Sequence, residues 1–238
     1  MPLRHPLRLV ACAALTTACG KQQPVPGAML DTTKSAAVTA TVAPDTSLLR
    51  ADRARIQGSP NAQVWLVMAS DFQCPFCKEF HDGAYPQILK DFVAPGKLRI
   101  AFLNHPGSMH AHAVVSAEAA MCAAMQDRFW PMHDALFTTQ DHWGALTDPK
   151  PVFDSLATSL SLGMADWRAC MSAHTTRPLI ESDHAKSRAG GVSATPSFFI
   201  ANKLAIVGAE PYTTFRAALD SALAHAPPRP PSGGGQRP

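Results

Sequence analysis

Two rhythms of apolar residues divide the chain. Val64-Trp65-Leu66-Val67-Met68-Ala69 is an unbroken apolar run, the pattern of a buried strand. Leu98-Arg99-Ile100-Ala101-Phe102-Leu103 is a second strand, broken by Asn104-His105-Pro106-Gly107. Between them Phe76, Phe80, Ile88, Leu89 and Phe92 recur at helical spacing, so one helix is expected from Cys74 to near Pro95-Gly96. A mostly helical block follows. Its segments are Ala111 to Met125, a helix opened by Pro131, Pro151 to Leu160, Ala165 to Ala173, and Pro178 to Ala189 before Gly190-Gly191. Ser197-Phe198-Phe199-Ile200 and Leu204-Ala205-Ile206-Val207 then read as a hairpin across Ala201-Asn202-Lys203, and Tyr212 to Ala224 as a closing helix. Ahead of the first strand, Gly58-Ser59-Pro60-Asn61 is a turn, and Leu48 to Gln57 reads equally as a short helix or a strand. The order is strand, helix, strand, helical block, hairpin, helix. That is an α/β order, with a helical insertion, about 108–190, between a βαβ part and a hairpin–helix part.

The ends have a different character. Arg4, His5 and Arg8 precede an apolar stretch from Leu9 to Ala18 that is too short to span a bilayer as a helix. Leu15-Thr16-Thr17-Ala18-Cys19-Gly20 resembles a bacterial lipoprotein signal, with Thr16 where an aliphatic residue is usual. Residues 1–19 are therefore expected to be a signal ending at a lipidated Cys19; the plainer alternative is a cleaved signal peptide without an anchor. Either implies export, where disulfides persist. Residues 20–47, rich in Pro, Thr, Ala and Gln, read as a flexible linker, 48–225 as the folded domain, and 226–238 as a disordered Pro/Gly tail.

Composition adds limits rather than direction. The net charge is +3, charged residues make up 16% and hydrophobic residues 46%, and there is no basic stripe with interleaved aromatics. That argues for a packed core and against a nucleic-acid partner.

The chemistry lies in Cys74-Pro75-Phe76-Cys77, where the first strand gives way to its helix. A helix N-terminus has unpaired N–H groups and partial positive charge, which favour a thiolate at Cys74. Two intervening residues let Cys77 close a disulfide with it, and Pro75 suits a first helical turn. A Cys-x-x-Cys also occurs as half a zinc site, but no second one is present. Of the six cysteines, Cys12 leaves with the signal and Cys19 takes lipid, so Cys122 and Cys170 remain and are expected to bond to each other. His105, His110 and His112 cluster after a strand and, with Cys74 and Cys77, invite a copper or zinc reading; a solvated loop is the expectation, with no metal and no organic cofactor. His81, four residues after Cys77, is expected to be partly exposed, and Trp130 and Met132 to lie in the insertion core.

Three motifs in order resemble the DsbA-like thioredoxin-fold oxidoreductases of the bacterial envelope. They are Asp71-Phe72-Gln73-Cys74-Pro75-Phe76-Cys77, the run from Cys122-Ala123-Ala124-Met125-Gln126 to Phe129-Trp130-Pro131-Met132-His133-Asp134-Ala135-Leu136-Phe137, and Gly191-Val192-Ser193-Ala194-Thr195-Pro196-Ser197-Phe198-Phe199-Ile200. The resemblance implies a nucleophilic Cys74, a buried resolving Cys77, and a cis Thr195-Pro196 bond facing them. Thr195, Pro75 and Phe76 would then contact an extended substrate segment. It implies exported cysteine-containing proteins as substrates and a membrane partner that resets the pair. Some relatives carry a second disulfide in the insertion, which supports Cys122–Cys170. Two positions depart from the pattern. Phe76 stands where the oxidase type often has histidine, and Met68 where relatives often bury an acid; Asp71, closer by, is expected to cap or lie near the surface. The resemblance leaves oxidase, isomerase and reductase open. A copper metallochaperone using Cys74, Cys77 and a histidine, or a thioredoxin-fold chaperone, is the alternative.

Overall fold

The computed structural model describes residues 46–227, all within one compact unit. The predicted signal, lipidated Cys19, most of the linker and nearly all of the Pro/Gly tail lie outside these residues. The helix-or-strand segment at the start is both: α1 spans Thr46–Ala54 and β1 Ile56–Gly58. A five-stranded sheet runs in the order β1-β3-β2-β4-β5, with β2 at Val64–Ser70, β3 at Leu98–Asn104, β4 at Ser197–Ile200 and β5 at Lys203–Val207. Only β2 and β3 are parallel, Val64 facing Leu98 through Ser70 facing Asn104. The other pairings are antiparallel. A parallel pair needs a crossover helix, and the Cys74 helix supplies it.

That crossover is not the single helix expected to run to Pro95-Gly96. It breaks into α2, Pro75–Asp82, and α3, Ala84–Ile88, which passes into a π-helical turn at Leu89–Val93. The cause is local. Pro86 has no N–H to donate to the Asp82 carbonyl four residues earlier, and its ring crowds that carbonyl, so Gly83 takes the bend at φ −102, ψ −82. The turn between β4 and β5 is Ala201-Asn202, both at positive φ, with Lys203 already paired to Ile200 in the strand.

The helical block is α4 Ala113–Ala124, α5 Phe129–Thr138, α6 Gln140–Trp143, α7 Lys150–Ser159, α8 Met164–Ala173 and α9 Arg177–Ala189; α5 starts two residues ahead of Pro131, and the short α6 was not expected. The closing helix, α10, is Tyr212–Ala224. Cys122 of α4 and Cys170 of α8 form a disulfide (S–S 1.94 Å), so the insertion is stapled across its middle. Met132 is fully buried and Trp130 half-buried.

Aromatic rings fill both faces of the sheet. Phe72, Phe102 and Phe137 meet on the side of the insertion (Phe72–Phe102 centroids 5.0 Å), and Phe80, Phe198 and Phe215 on the side of α10 (Phe80–Phe198 4.5 Å). Burying each such ring stabilises the fold by about 1.5–3 kcal/mol.

One charged group is built into this core. The buried Arg55, between α1 and β1, pairs with the buried Asp183 of α9 and donates to the Phe102 carbonyl of β3 at 3.0 Å. Asp183 also accepts from the backbone and side-chain N–H groups of Asn104. Removing the cation strands a buried carboxylate, so Arg55→Ala should cost about 3–5 kcal/mol of unfolding stability in urea titration. Arg55→Met with Asp183→Leu should recover most of that loss, since it strands no charge.

Candidate active site around Cys74 and Cys77

The sheet register places the site. Ala69 of β2 pairs with Ser197 of β4, so the residues just before β4 lie beside the residues just after β2. Cys74 and the Thr195-Pro196 peptide therefore meet at the C-terminal end of the central strand. The Thr195-Pro196 bond is cis, and the Cys74 sulfur lies 3.4 Å from the Thr195 carbonyl oxygen. Pro196 is buried and Thr195 half-buried.

Cys74 caps α2 in an extended conformation, φ −71, ψ 125, without turning its side chain back to cap the helix, and Pro75 fills the first turn. Both cysteines are unbonded and buried, Cys74 at 4% and Cys77 at 1% exposure. The Cys77 thiol hydrogen-bonds the Cys74 sulfur, and this bond is the main reason the Cys74 pKa falls from 9.0 to about 6. The Thr195 side chain and the amides of Cys77 and Phe76 add to it, against the opposing effect of burial. Burial pushes the Cys77 thiol up, and its bond to Cys74 works in the same direction, although the backbone N–H of Asp71 reaches its sulfur at 3.5 Å. The two sulfurs are thus split: a thiolate at Cys74 and a thiol at Cys77. Phe76, between them, is 59% exposed.

Asp71 is not near the surface. It is 2% exposed, and its carboxylate accepts from the Gln73 amide (2.8 Å), the Gly107 amide (2.8 Å) and His110 Nδ1 (2.7 Å). The reason is the loop after β3, which folds over Asp71 and delivers two donors from beyond residue 105. Position 68, where relatives often carry an acid, holds a buried Met68.

The histidine loop is less solvated than its composition suggests. His105 is buried against Ser187 (2.6 Å), His110 is held by Asp71, and His112 Nε2 reaches the Leu146 carbonyl (2.7 Å). Each has its own partner, and the three do not converge on the cysteines. The sequence reading missed two further groups. Gln140 of α6, buried, donates to the carbonyls of Phe72 (2.7 Å) and Cys74 (3.1 Å), and Gln73 bridges the Gly144 carbonyl (2.8 Å) and the His112 amide (2.5 Å). No local pattern marks a glutamine that acts 66 residues away; Asp71, two residues before Gln73 at a strand end, at least had the spacing of an Asx turn.

Comparison with known proteins adds relatives. Disulfide bond formation protein D of Bacillus subtilis is 25% identical over 156 residues, covering 63% of this chain and 68% of that protein. A Na(+)/H(+) antiporter NhaA 3 of Salinispora tropica is 32% identical over 185 residues; these cover 76% of this chain and 26% of the antiporter, so the chain spans about a quarter of that relative. The fold is shared with the oxidised crystal structure of BdbD from Bacillus subtilis, at TM-score 0.65 and 23% identity over 71% of this chain and 92% of that one. The thioredoxin family model matches residues 50–221, more than half of the chain, and with the cis-proline set against the paired cysteines this places the chain in the thioredoxin family.

Proposed function

We propose that the protein is a thiol–disulfide oxidoreductase of the cell envelope, of the DsbA type, that donates the Cys74–Cys77 disulfide to exported proteins. The observation that carries this reading is the asymmetry of the pair, a thiolate at Cys74 near pH 6 beside a Cys77 held as a thiol. The family match and the kinship to a disulfide bond formation protein support the same chemistry.

In the oxidising direction a substrate thiolate attacks the Cys74 sulfur of the disulfide. The Cys74–Cys77 bond breaks, Cys77 leaves and takes a proton, and a mixed disulfide joins Cys74 to the substrate. A second substrate thiolate then attacks the substrate sulfur and expels Cys74. Two electrons have moved from the substrate dithiol to the pair. A low leaving-group pKa speeds that last step and stabilises the reduced pair, which makes the disulfide form oxidising. This favours donation over reduction, even with Phe76 in place of histidine. A membrane redox partner then reoxidises the pair. Export by the residue 1–19 signal, and anchoring through Cys19, belong to the same reading.

The surroundings suit an extended, partly unfolded substrate. Phe76 is exposed between the cysteines, and Met109 (91% exposed) and Leu146 (41%) lie on the two loops tied to Gln73 and Asp71. Apolar side chains left in water beside a reactive sulfur fit the apolar segments that unfolded chains display.

The test uses oxidised protein and a reduced peptide dithiol. Cys74→Ser and Cys77→Ser should each abolish peptide oxidation, since neither can form the disulfide, and reduced Cys77→Ser mixed with a disulfide-bonded peptide should stop at a mixed disulfide through Cys74. Undiminished oxidation by Cys74→Ser sinks the reading, as does stoichiometric copper retention by the reduced pair without exchange.

A further inference from the structure

We propose a divalent metal site of the zinc type, built from His81, His133 and Asp134, on the flank of the active-site helix and independent of the cysteines. Among the described residues these three form a group whose ligand atoms all lie within 4.8 Å of one another. Asp134 Oδ1 is 2.8 Å from His133 Nδ1 and 3.4 Å from His81 Nε2. Zinc bonds of about 2.0–2.1 Å in a tetrahedral shell separate neighbouring ligand atoms by roughly 3.3 Å, and the observed spacings straddle that value.

The supports around the triad are those of a metal site. His81 presents Nε2 to the cluster because its Nδ1 is held by Asp82 Oδ1 at 2.9 Å, and Asp82 is fixed by Lys78 at 2.8 Å. A carboxylate behind the ligand imidazole sets ring orientation and raises its basicity. The His133 ring is 2% exposed and wedged between Phe72, Phe102 and Phe129, so its Nδ1 has one direction available. Asp134 is 54% exposed on its side chain, which leaves an entry path and room for a water as fourth ligand. Two imidazoles and one carboxylate with an open position suit zinc or cobalt(II).

Because His81 is on α2 and the other two ligands are on α5, the ion would clamp the active-site helix to the insertion.

The experiment titrates cobalt(II), then zinc, into the full chain carrying C12S, C19S, C74S and C77S, whose two remaining cysteines form the Cys122–Cys170 disulfide. One equivalent of cobalt(II) should bind with tetrahedral visible bands and no thiolate charge-transfer band, zinc should displace it, and zinc should raise the melting temperature. His81→Gln and Asp134→Asn, added separately, should each abolish uptake and the melting shift, with native far-ultraviolet circular dichroism. Asp82→Asn should weaken binding about 10- to 100-fold. No stoichiometric uptake by the parent variant, or uptake retained by either ligand variant, overturns the site. None of these readouts depends on disulfide exchange.

Discussion

The ultraviolet absorbance of thiolate in the reduced protein should grow in with a midpoint at about pH 6, as a single sulfur, against 9.0 for an ordinary cysteine. Cys77 should add nothing in that range, since burial holds it protonated. At about pH 7 the shift raises the thiolate fraction of Cys74 from ~1% to ~90%. The gain in alkylation rate is smaller, because intrinsic nucleophilicity falls with pKa; a Brønsted slope of about 0.4–0.5 over three units removes roughly twentyfold and leaves about a fivefold advantage. The same shift acts on stability. Cys74 has its folded pKa depressed below the unfolded one, so its contribution is fully present above about pH 9 and is lost as pH falls through about 6. Urea unfolding of the reduced protein should therefore weaken on acidification across that window. The effect at about pH 7 is on the order of 1 kcal/mol after allowance for solvent screening. A midpoint that stays near 9.0 removes Cys74 as the better leaving group, and with it the oxidising direction.

Removing the insertion's disulfide should have an effect on stability of the same order as the loss of Arg55. Cys122 and Cys170 are 48 residues apart, and a loop of that length closed in the unfolded chain corresponds to about 4 kcal/mol in the chain-entropy model. Cys122→Ala with Cys170→Ala should lower the free energy of unfolding by up to that amount, read from denaturant titrations of oxidised samples. Peptide oxidation should persist at temperatures where the double variant stays folded, because neither sulfur approaches the active pair. A loss under about 1 kcal/mol would mean that the unfolded chain is already compact across this segment.

The parts of the fold legible in the sequence are those that local pattern dictates. β2 is an uninterrupted apolar run, β3 alternates buried and half-buried positions along its whole length, and the insertion's helices announce themselves by spacing and by Pro or Gly at their ends. The cysteine pair and the Thr195-Pro196 step were legible for the same reason, as short motifs at element boundaries. What stayed hidden depends on contacts distant in sequence. Asp71 reads as either a cap or a surface residue; it does accept from the Gln73 N–H, but the loop carrying Gly107 and His110 closes over it and buries it. α1 and β1 could not be told apart because Arg55, which divides them, is fixed by Asp183, 128 residues away. The break at Gly83 was readable in principle, since Pro86 forbids a continuous helix, but the apolar spacing across Phe80, Ile88 and Phe92 masked it.

The bonds made by Gln140 and Gln73 bear on how this protein could be cut and recombined. The helical block enters the chain as an insertion, yet it supplies the donor for the Phe72 and Cys74 carbonyls and receives both ends of the Gln73 amide. A trimmed version keeping only the sheet, α2, α3 and α10 would free four polar groups at the turn that holds the reactive sulfur. A swapped or shortened block would have to supply partners for these same four groups, so the Cys74 turn and the block must be refitted together.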